Sequence, residues 1–270
     1  MRAYVLGVSV WGPGLEGWEA SRPVLAGLAD YLPSDTLPPA PAMLSATERR
    51  RTSLAVRLAL TVAQAATEMA GLASDAPRSV FGTSNGDGAV VGAILESLAG
   101  GDGQVSPTQF HNSVHNAASG YWTIAKGSRQ PATCLGCDDV TMGAALLKAI
   151  AEVGVERVPL LLCVYDAPMP PPLAAKRPTE GGFAAGFVLA PDNGARALAR
   201  LEARYVADPA PDGAGEPDAS GLRELSRANP AAWSLRLLQA LARGEADRFP
   251  VALLDGHLEV EVEPCSGVRG

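Results

Sequence analysis

Residues 158–165, VPLLLCVY, form an unbroken apolar run short enough for one strand. A strand that packs on one face alternates apolar and polar residues, so a run apolar at every position is expected where both faces are covered. That places a central strand inside a layered sheet with helices on both sides. The segments before it agree with this. Residues 3–10 read as a first strand ending in the turn WGPG, and residues 79–84, SVFGTS, as a short buried strand followed by the turn NGDG.

Helix signals alternate with these strands. Ser45 and Glu48 have capping-box spacing, Leu54, Leu58, Val62, Ala65 and Met69 recur at helical intervals, and Gly71 stops the pattern, which predicts one long helix. A second helix is expected through Val90, Ile94, Leu95 and Leu98, and a third opening on HNSVHN and running to the glycine of IAKG. After a strand near residues 131–136, Asp138 or Asp139 is expected to cap a helix bearing Met142, Leu146, Ala149, Ile150 and Val153 and closing at Gly154. Beyond residue 165 the order changes. A proline-rich loop leads to a strand at 183–190 and a half-exposed strand at 198–206, and residues 207–219 form a flexible linker. Asn229 with Pro230 opens a helix apolar at Trp233, Leu237, Leu238 and Leu241 and stopped by Gly244. Asp255-Gly256 supplies the two-residue turn of a closing hairpin, with Glu259, Glu261 and Glu263 on one side and Leu258, Val260 and Val262 on the other.

Composition excludes some function classes. With 47% apolar residues, the 270-residue chain buries a sizeable core. A net charge of −7 argues against nucleic acid and anionic membranes as main partners, and the basic cluster Arg49-Arg50-Arg51 reads as a solvated helix face. No run reaches membrane-spanning length and the start reads as a strand, so the expected location is the cytoplasm. Four cysteines are too few for a disulfide framework. The turn GTSNGDG has neither a Lys-Ser/Thr ending nor GxGxxG spacing, which leaves no nucleotide-loop signature.

The candidate chemistry lies between Ser106 and Cys137, SPTQFHNSVHNAASGYWTIAKGSRQPATCLGC, which holds two of the three histidines and two of the four cysteines. Cys137 precedes a helix, where the dipole stabilises a thiolate, although Asp138 and Asp139 oppose ionisation. The same residue also fits a small thiol packed in a strand–helix turn. On a continuous helix His111 and His115 share a face, as do Asn112 and Asn116, so the four are expected to line one polar wall or to serve as a polar cap. His111, His115, Cys134 and Cys137 also form a conceivable zinc set, in an order unlike common zinc modules.

The order from SPTQFHNSVHNAASGYWTIAKG through TCLGCDDVTMGAALLKA to VPLLLCVYDAP resembles the N-terminal half of a β-ketoacyl synthase, and within it the short ketosynthase-like chain-length factors of aryl polyene and xanthomonadin-type pigment biosynthesis. The resemblance covers about residues 1–190 and implies a layered α/β/α thiolase-like half fold. The strand, helix and hairpin of 191–270 are expected to pack on the same domain. It also implies that Cys137 stands at the nucleophile position, where ketosynthases read Thr-Ala-Cys-Ala/Ser and this chain reads Leu-Gly-Cys-Asp. Ketosynthases take two decarboxylation histidines from their second half. Here the only histidine after Cys137 is His257, and a Gly-Phe-Gly-Gly loop is missing.

The expected role is therefore a non-catalytic subunit, without cofactor or metal, that pairs with a full-length ketosynthase in polyketide- or fatty-acid-like synthesis. His111, Asn112, His115, Asn116, Cys134 and Cys137 would be interface and tunnel wall. An acyl carrier protein would dock mainly on the partner, because this chain is acidic. The rival expectation is a stand-alone acyltransferase or thioesterase using Cys137 with His111 or His115 as base. A zinc-stabilised binding module is a third.

Overall fold

The computed structural model describes residues 1–72, 77–100, 103–194 and 196–265. Its strands are β1 (Arg2–Gly12), β2 (Leu15–Glu16), β3 (Arg78–Gly82), β4 (Ala132–Leu135), β5 (Leu160–Asp166), β6 (Phe183–Ala190), β7 (Ala199–Val206), β8 (Asp247–Leu253) and β9 (Gly256–Pro264). They form one sheet in the order β4-β3-β5-β6-β1-β7-β9-β8, with β2 hairpinned onto β1. The β4-β3-β5 end is parallel and the remainder antiparallel.

The helices are α1 (Trp18–Leu25), α2 (Ala46–Arg49), α3 (Leu54–Met69), α4 (Gly88–Ala99), α5 (Pro107–Ser113), α6 (Ala117–Lys126), α7 (Thr141–Glu156), α8 (Ser220–Ala228) and α9 (Leu235–Arg243). They cover both faces of the sheet, as the apolar run of β5 requires. Leu160, Leu162 and Val164 enter a core with α7, α1 and α9, whereas Leu161, Cys163 and Tyr165 enter a second core with α3 and α6. Every residue of β5 is buried. This is the layered α/β/α fold expected of a thiolase-like half. Helix α3 sits unusually close to the sheet at two glycines. A Cβ on Gly7 would lie 2.1 Å from the Ala66 carbonyl oxygen, and one on Gly186 would lie 2.6 Å from that of Val62.

Several expected elements differ in detail. Ser45 does accept the Glu48 N–H, but the long helix is broken after one turn, because Ser53 caps a new helix by accepting the Val56 N–H. The third expected helix also divides. Val114 adopts extended dihedrals (φ −73, ψ 140), which ends α5 before α6 begins. Helix α7 runs past Gly154 to Glu156 and closes on Arg157 in the left-handed region. Helices α1 and α8 had no counterpart in the sequence reading. The Asn229 cap and the hairpin agree with it: Asn229 accepts the Ala231 N–H, although the first turn is 3-10, and Leu258, Val260 and Val262 are buried opposite the three glutamates.

Candidate functional site

The C-terminal ends of β3, β4 and β5 converge, which is where sites form in parallel α/β sheets. Strand β4 leads through Gly136, Cys137 and Asp138 into α7. The turn is tight. A Cβ on Gly136 would lie 2.9 Å from the Thr83 carbonyl oxygen and 3.0 Å from the His115 ring. Neither aspartate caps α7, contrary to expectation. Instead Thr141 Oγ1 accepts the Cys137 N–H (2.8 Å) and donates to the Asp138 carbonyl (2.6 Å). The strained residue is Asp138, at φ +52, one position beyond Cys137. Sharp strand-to-helix turns display a side chain at their strained residue, and here the side chain displayed is a carboxylate.

That carboxylate is held. Arg177, 39 residues on in sequence, places its guanidinium 2.5 Å from Asp138 Oδ1 and 2.9 Å from Asp139 Oδ1, and its Nε donates to Asn85 Oδ1 at 3.0 Å. Asn85 Nδ2 in turn donates to Thr179 Oγ1 (2.8 Å), so the proline-rich loop is fastened over the turn.

The expected polar wall is not one surface. Asn112 is buried and turned inward, with its Nδ2 donating to the Arg51 carbonyl (2.9 Å) and its Oδ1 accepting from Tyr121 OH (3.1 Å). His111 is exposed and meets the Tyr121 ring edge-on at 6.0 Å. The break at Val114 puts His115 on another side, where it lines an open hollow of about 570 Å³ with Ser84, Cys134, Leu135, Gly136 and Asp138. Asn116 is exposed at the start of α6, and its carbonyl accepts from Ser119 Oγ (3.0 Å). The Cys134 thiol lies 2.9 Å from Ser119 Oγ, and burial raises its pKa.

The structure therefore brings His115, Cys134 and Asp138 together beside Cys137, and separates His111, Asn112 and Asn116 from them. Among the described residues neither histidine hydrogen-bonds Cys137, and no three His, Cys, Asp or Glu side chains are grouped to hold a metal ion. His257 is buried with its Nδ1 2.7 Å from the Asp208 carbonyl oxygen.

One residue escaped the sequence reading. Asp166, the last residue of β5, is 1% exposed and accepts from Thr83 Oγ1 (2.8 Å), Ser84 N–H (2.8 Å) and Asn85 N–H (3.3 Å). Burial lifts its pKa to about 6, and these hydrogen bonds hold back a larger rise. Asn229 Nδ2 donates to the Asp166 carbonyl (3.2 Å) and to that of Gly181 (3.0 Å), which ties the C-terminal segment to the same strand end. An aspartate closing a wholly apolar strand opposite the GTSNGDG turn was the available signal. A second cavity, about 470 Å³, opens beyond Arg177, with Asp139, Pro211, Glu216, Trp233 and Val251 in its lining. No helix among the described residues is long and apolar enough to cross a membrane.

Comparison with known proteins gives a consistent result. The family described as "Beta-ketoacyl synthase, N-terminal domain" matches residues 24–246, which runs past residue 190. A search of curated proteins finds no significant match. Among solved structures, a chain of the ketosynthase ApeO in complex with its chain length factor ApeC from Xenorhabdus doucetiae superposes with a TM-score of 0.71 at 18% identity, covering 97% of this chain and 99% of that one. The ishigamide ketosynthase/chain length factor gives 0.70 at 16% identity, with 97% and 99% covered. AntDE:AntF, a type II PKS acyl-carrier protein in complex with its ketosynthase, gives 0.74 at 10% identity, with 98% and 99% covered. At these identities the likeness is one of fold.

Proposed function

We propose that this chain, which belongs to the β-ketoacyl synthase family, is a non-catalytic ketosynthase-like subunit of the chain-length-factor type that pairs with a full-length ketosynthase in the cytoplasm. The observation that carries the reading is the outer edge of β4, which no strand among the described residues pairs. Its register with β3 leaves the backbone N–H and C=O groups of Ala132 and Cys134 pointing outward. An unpaired edge is a template for another strand. Beside it α6, α5 and α4 pack in succession and expose Ile124, Phe110, Leu95 and Leu98, with Phe110 67% exposed. Apolar side chains grouped at a surface mark a protein contact or an acyl-chain wall.

The turn after β4 supports the absence of catalysis. Its strained position carries Asp138, bound to Arg177, and a carboxylate has no sulfur on which an acyl thioester could form. In this reading Cys137, Cys134 and His115 face the partner or its tunnel, with His111, Asn112 and Asn116 supporting the wall from behind. The family match runs to residue 246, and the described strands, helices and hairpin after residue 190 pack on the same sheet, so the whole is read as one domain. Placement in polyene- or fatty-acid-like pigment biosynthesis is what the resemblance implies, and the two chain-length-factor complexes of similar fold lend the pairing its precedent. Co-expression with the cognate full-length ketosynthase tests this. A stable 1:1 complex whose product length depends on this chain is expected; a chain that stays monomeric and never co-purifies refutes the reading.

A further inference from the structure

The cavity of about 470 Å³ beyond Arg177 belongs to a different part of the molecule from the pairing surface. Asp139 and Arg177 line it, whereas Asp138 lines the His115 hollow, so the clasp stands between the two spaces. Neither β4 nor α4, α5 or α6 contributes to its wall. The wall comes from the loop after β5, from α8 and the 3-10 turn that precedes α9, and from β8.

Its roof is the segment 207–219, whose composition reads as a flexible linker. The structure pins that segment at both ends. The Asp208 carbonyl oxygen lies 2.7 Å from His257 Nδ1, and Glu216 accepts from Arg227 Nε (2.8 Å) and Nη2 (3.0 Å). Between these anchors the Ala214 N–H donates to the Pro211 carbonyl (3.0 Å) and the Glu216 N–H to that of Gly213 (3.3 Å). A long irregular segment held in one shape over a cavity has the character of a binding loop, not of a linker.

The wall is stiff and largely apolar. Pro178, Pro211, Pro230 and Pro250 stand with Trp233 and Val251, and the positions between them include alanine and glycine. Proline, alanine and glycine have no rotamers to lose and no arm to fold into the space, so the cavity is open in advance of a ligand. The charges at its rim are already matched, Arg177 with Asp139 and Arg227 with Glu216. An anion would have to draw a guanidinium from its carboxylate while facing Asp212, which has no ion-pair partner among the described residues. A cation gains little from Asp212, because that side chain is exposed to water. Trp233 adds a directional contact. Its indole N–H has no hydrogen-bond partner among the described residues and, unlike those of Trp11 and Trp122, is not sealed from solvent.

We propose that this cavity binds an uncharged aromatic molecule bearing a hydrogen-bond acceptor, a carbonyl or hydroxyl oxygen. The ring packs against Trp233 and the prolines, and the oxygen accepts the indole N–H. The site lies apart from the pairing surface, so the proposal goes beyond the functional reading and does not depend on it.

The test titrates the whole chain, without a ketosynthase, with three probes of similar shape: 2-acetylnaphthalene, 2-naphthoate and 2-naphthylmethylammonium. Isothermal titration calorimetry is expected to show one equivalent of the neutral ketone bound with a Kd of ~0.1 mM. Both ions should bind about tenfold more weakly or worse. Ala214→Trp, which fills the cavity, should weaken the ketone about tenfold or more. Trp233→Phe keeps a ring but drops the N–H, and should weaken it about fivefold. Ala26→Trp, in the open groove between α1 and α9, should leave it within about twofold. Circular dichroism verifies the fold of each variant. The proposal is overturned by absence of saturable ketone binding, by tighter binding of either ion, by wild-type affinity in Ala214→Trp or Trp233→Phe, or by an equal loss in Ala26→Trp. If the ketone binds here and the chain never pairs with a ketosynthase, the site stands and the pairing reading falls.

Discussion

Strands β4 and β8 both terminate the sheet, yet only β8 carries features that discourage a further strand. Pro250 interrupts its run of N–H donors, Arg248 forms ion pairs with Glu259 and Glu261 of the neighbouring strand, and the loop at Gly215 lies against the Pro250 carbonyl, where a Cβ would come within 2.2 Å. Proline, charge and a covering loop are recognised ways of closing an edge. Strand β4, Ala132–Leu135, has no charged side chain and no proline within it. The difference teaches that the fold can be extended at one end only, and that this end adjoins the turn carrying Asp138.

The largest expected effect comes from blocking the open edge. Ala132→Pro removes an outward N–H without touching a bond to β3, so stability should move by about 1 kcal/mol or less. Association with the ketosynthase should weaken by ~100-fold, close to 2.7 kcal/mol. Unchanged association, read by analytical ultracentrifugation, would mean that β4 is no more an interface than β8.

The next contrast lies in buried charge. The acids of β9 are held by arginines at the surface, whereas Asp166 at the parallel end is buried with its pKa raised to about 6. Its folded-state pKa exceeds the ordinary value of 3.8, so the folded chain holds this proton more tightly. The associated stability is fully present below about pH 4 and is lost as pH rises to 6. The span amounts to at most ~3 kcal/mol. Asp166→Asn should gain that amount relative to the wild type between pH 4 and pH 7 in urea titrations. A constant difference across that range would show that Asp166 ionises as freely as a surface acid.

A smaller effect is expected at the clasp. Arg177→Ala leaves Asp138 and Asp139 unpaired and removes the donor to Asn85 Oδ1, which should cost about 1–2 kcal/mol and a few degrees in Tm. Arg177→Lys should recover little, since one ammonium does not span the three acceptors. Full thermal stability in Arg177→Ala would place the loop's anchoring elsewhere. The smallest change is predicted for Cys137→Ser, within about 0.5 kcal/mol and with the activity of the complex retained. Mass spectrometry finding an acyl thioester on Cys137 would instead make this end of the sheet an active site.

What could be read from the sequence was local or periodic. The wholly apolar run of β5, the alternation of β9, the Asp255-Gly256 turn and the Asn229-Pro230 cap each state their structure within a few residues, and the layered fold follows from them. Two helices were read as continuous because the cap signal of Ser45 and Glu48 stands just ahead of the apolar positions that begin at Leu54, and because helical spacing persists across the break at Val114. Serine caps and a single extended residue leave that spacing untouched. Helix α8 lay hidden beside a Pro/Gly-rich loop. Within the site, the position of Cys137 beside α7 was legible, but the fate of Asp138 was not, because it depends on Arg177 arriving from a loop after two further elements. The burial of Asp166 likewise required knowing that β3 lies beside β5.

Gly7 and Gly186 let α3 rest on the sheet with helix carbonyls at the distance a methyl group would need. A helix seated so low has no slack to slide or tilt, and a shear across it would drive backbone into backbone. The layer therefore transmits load like a welded plate, not a hinge. In the proposed pairing, whatever rests on α3 is held at a constant spacing from β1 and β6, and any rearrangement on assembly is expected between the subunits and not inside this one.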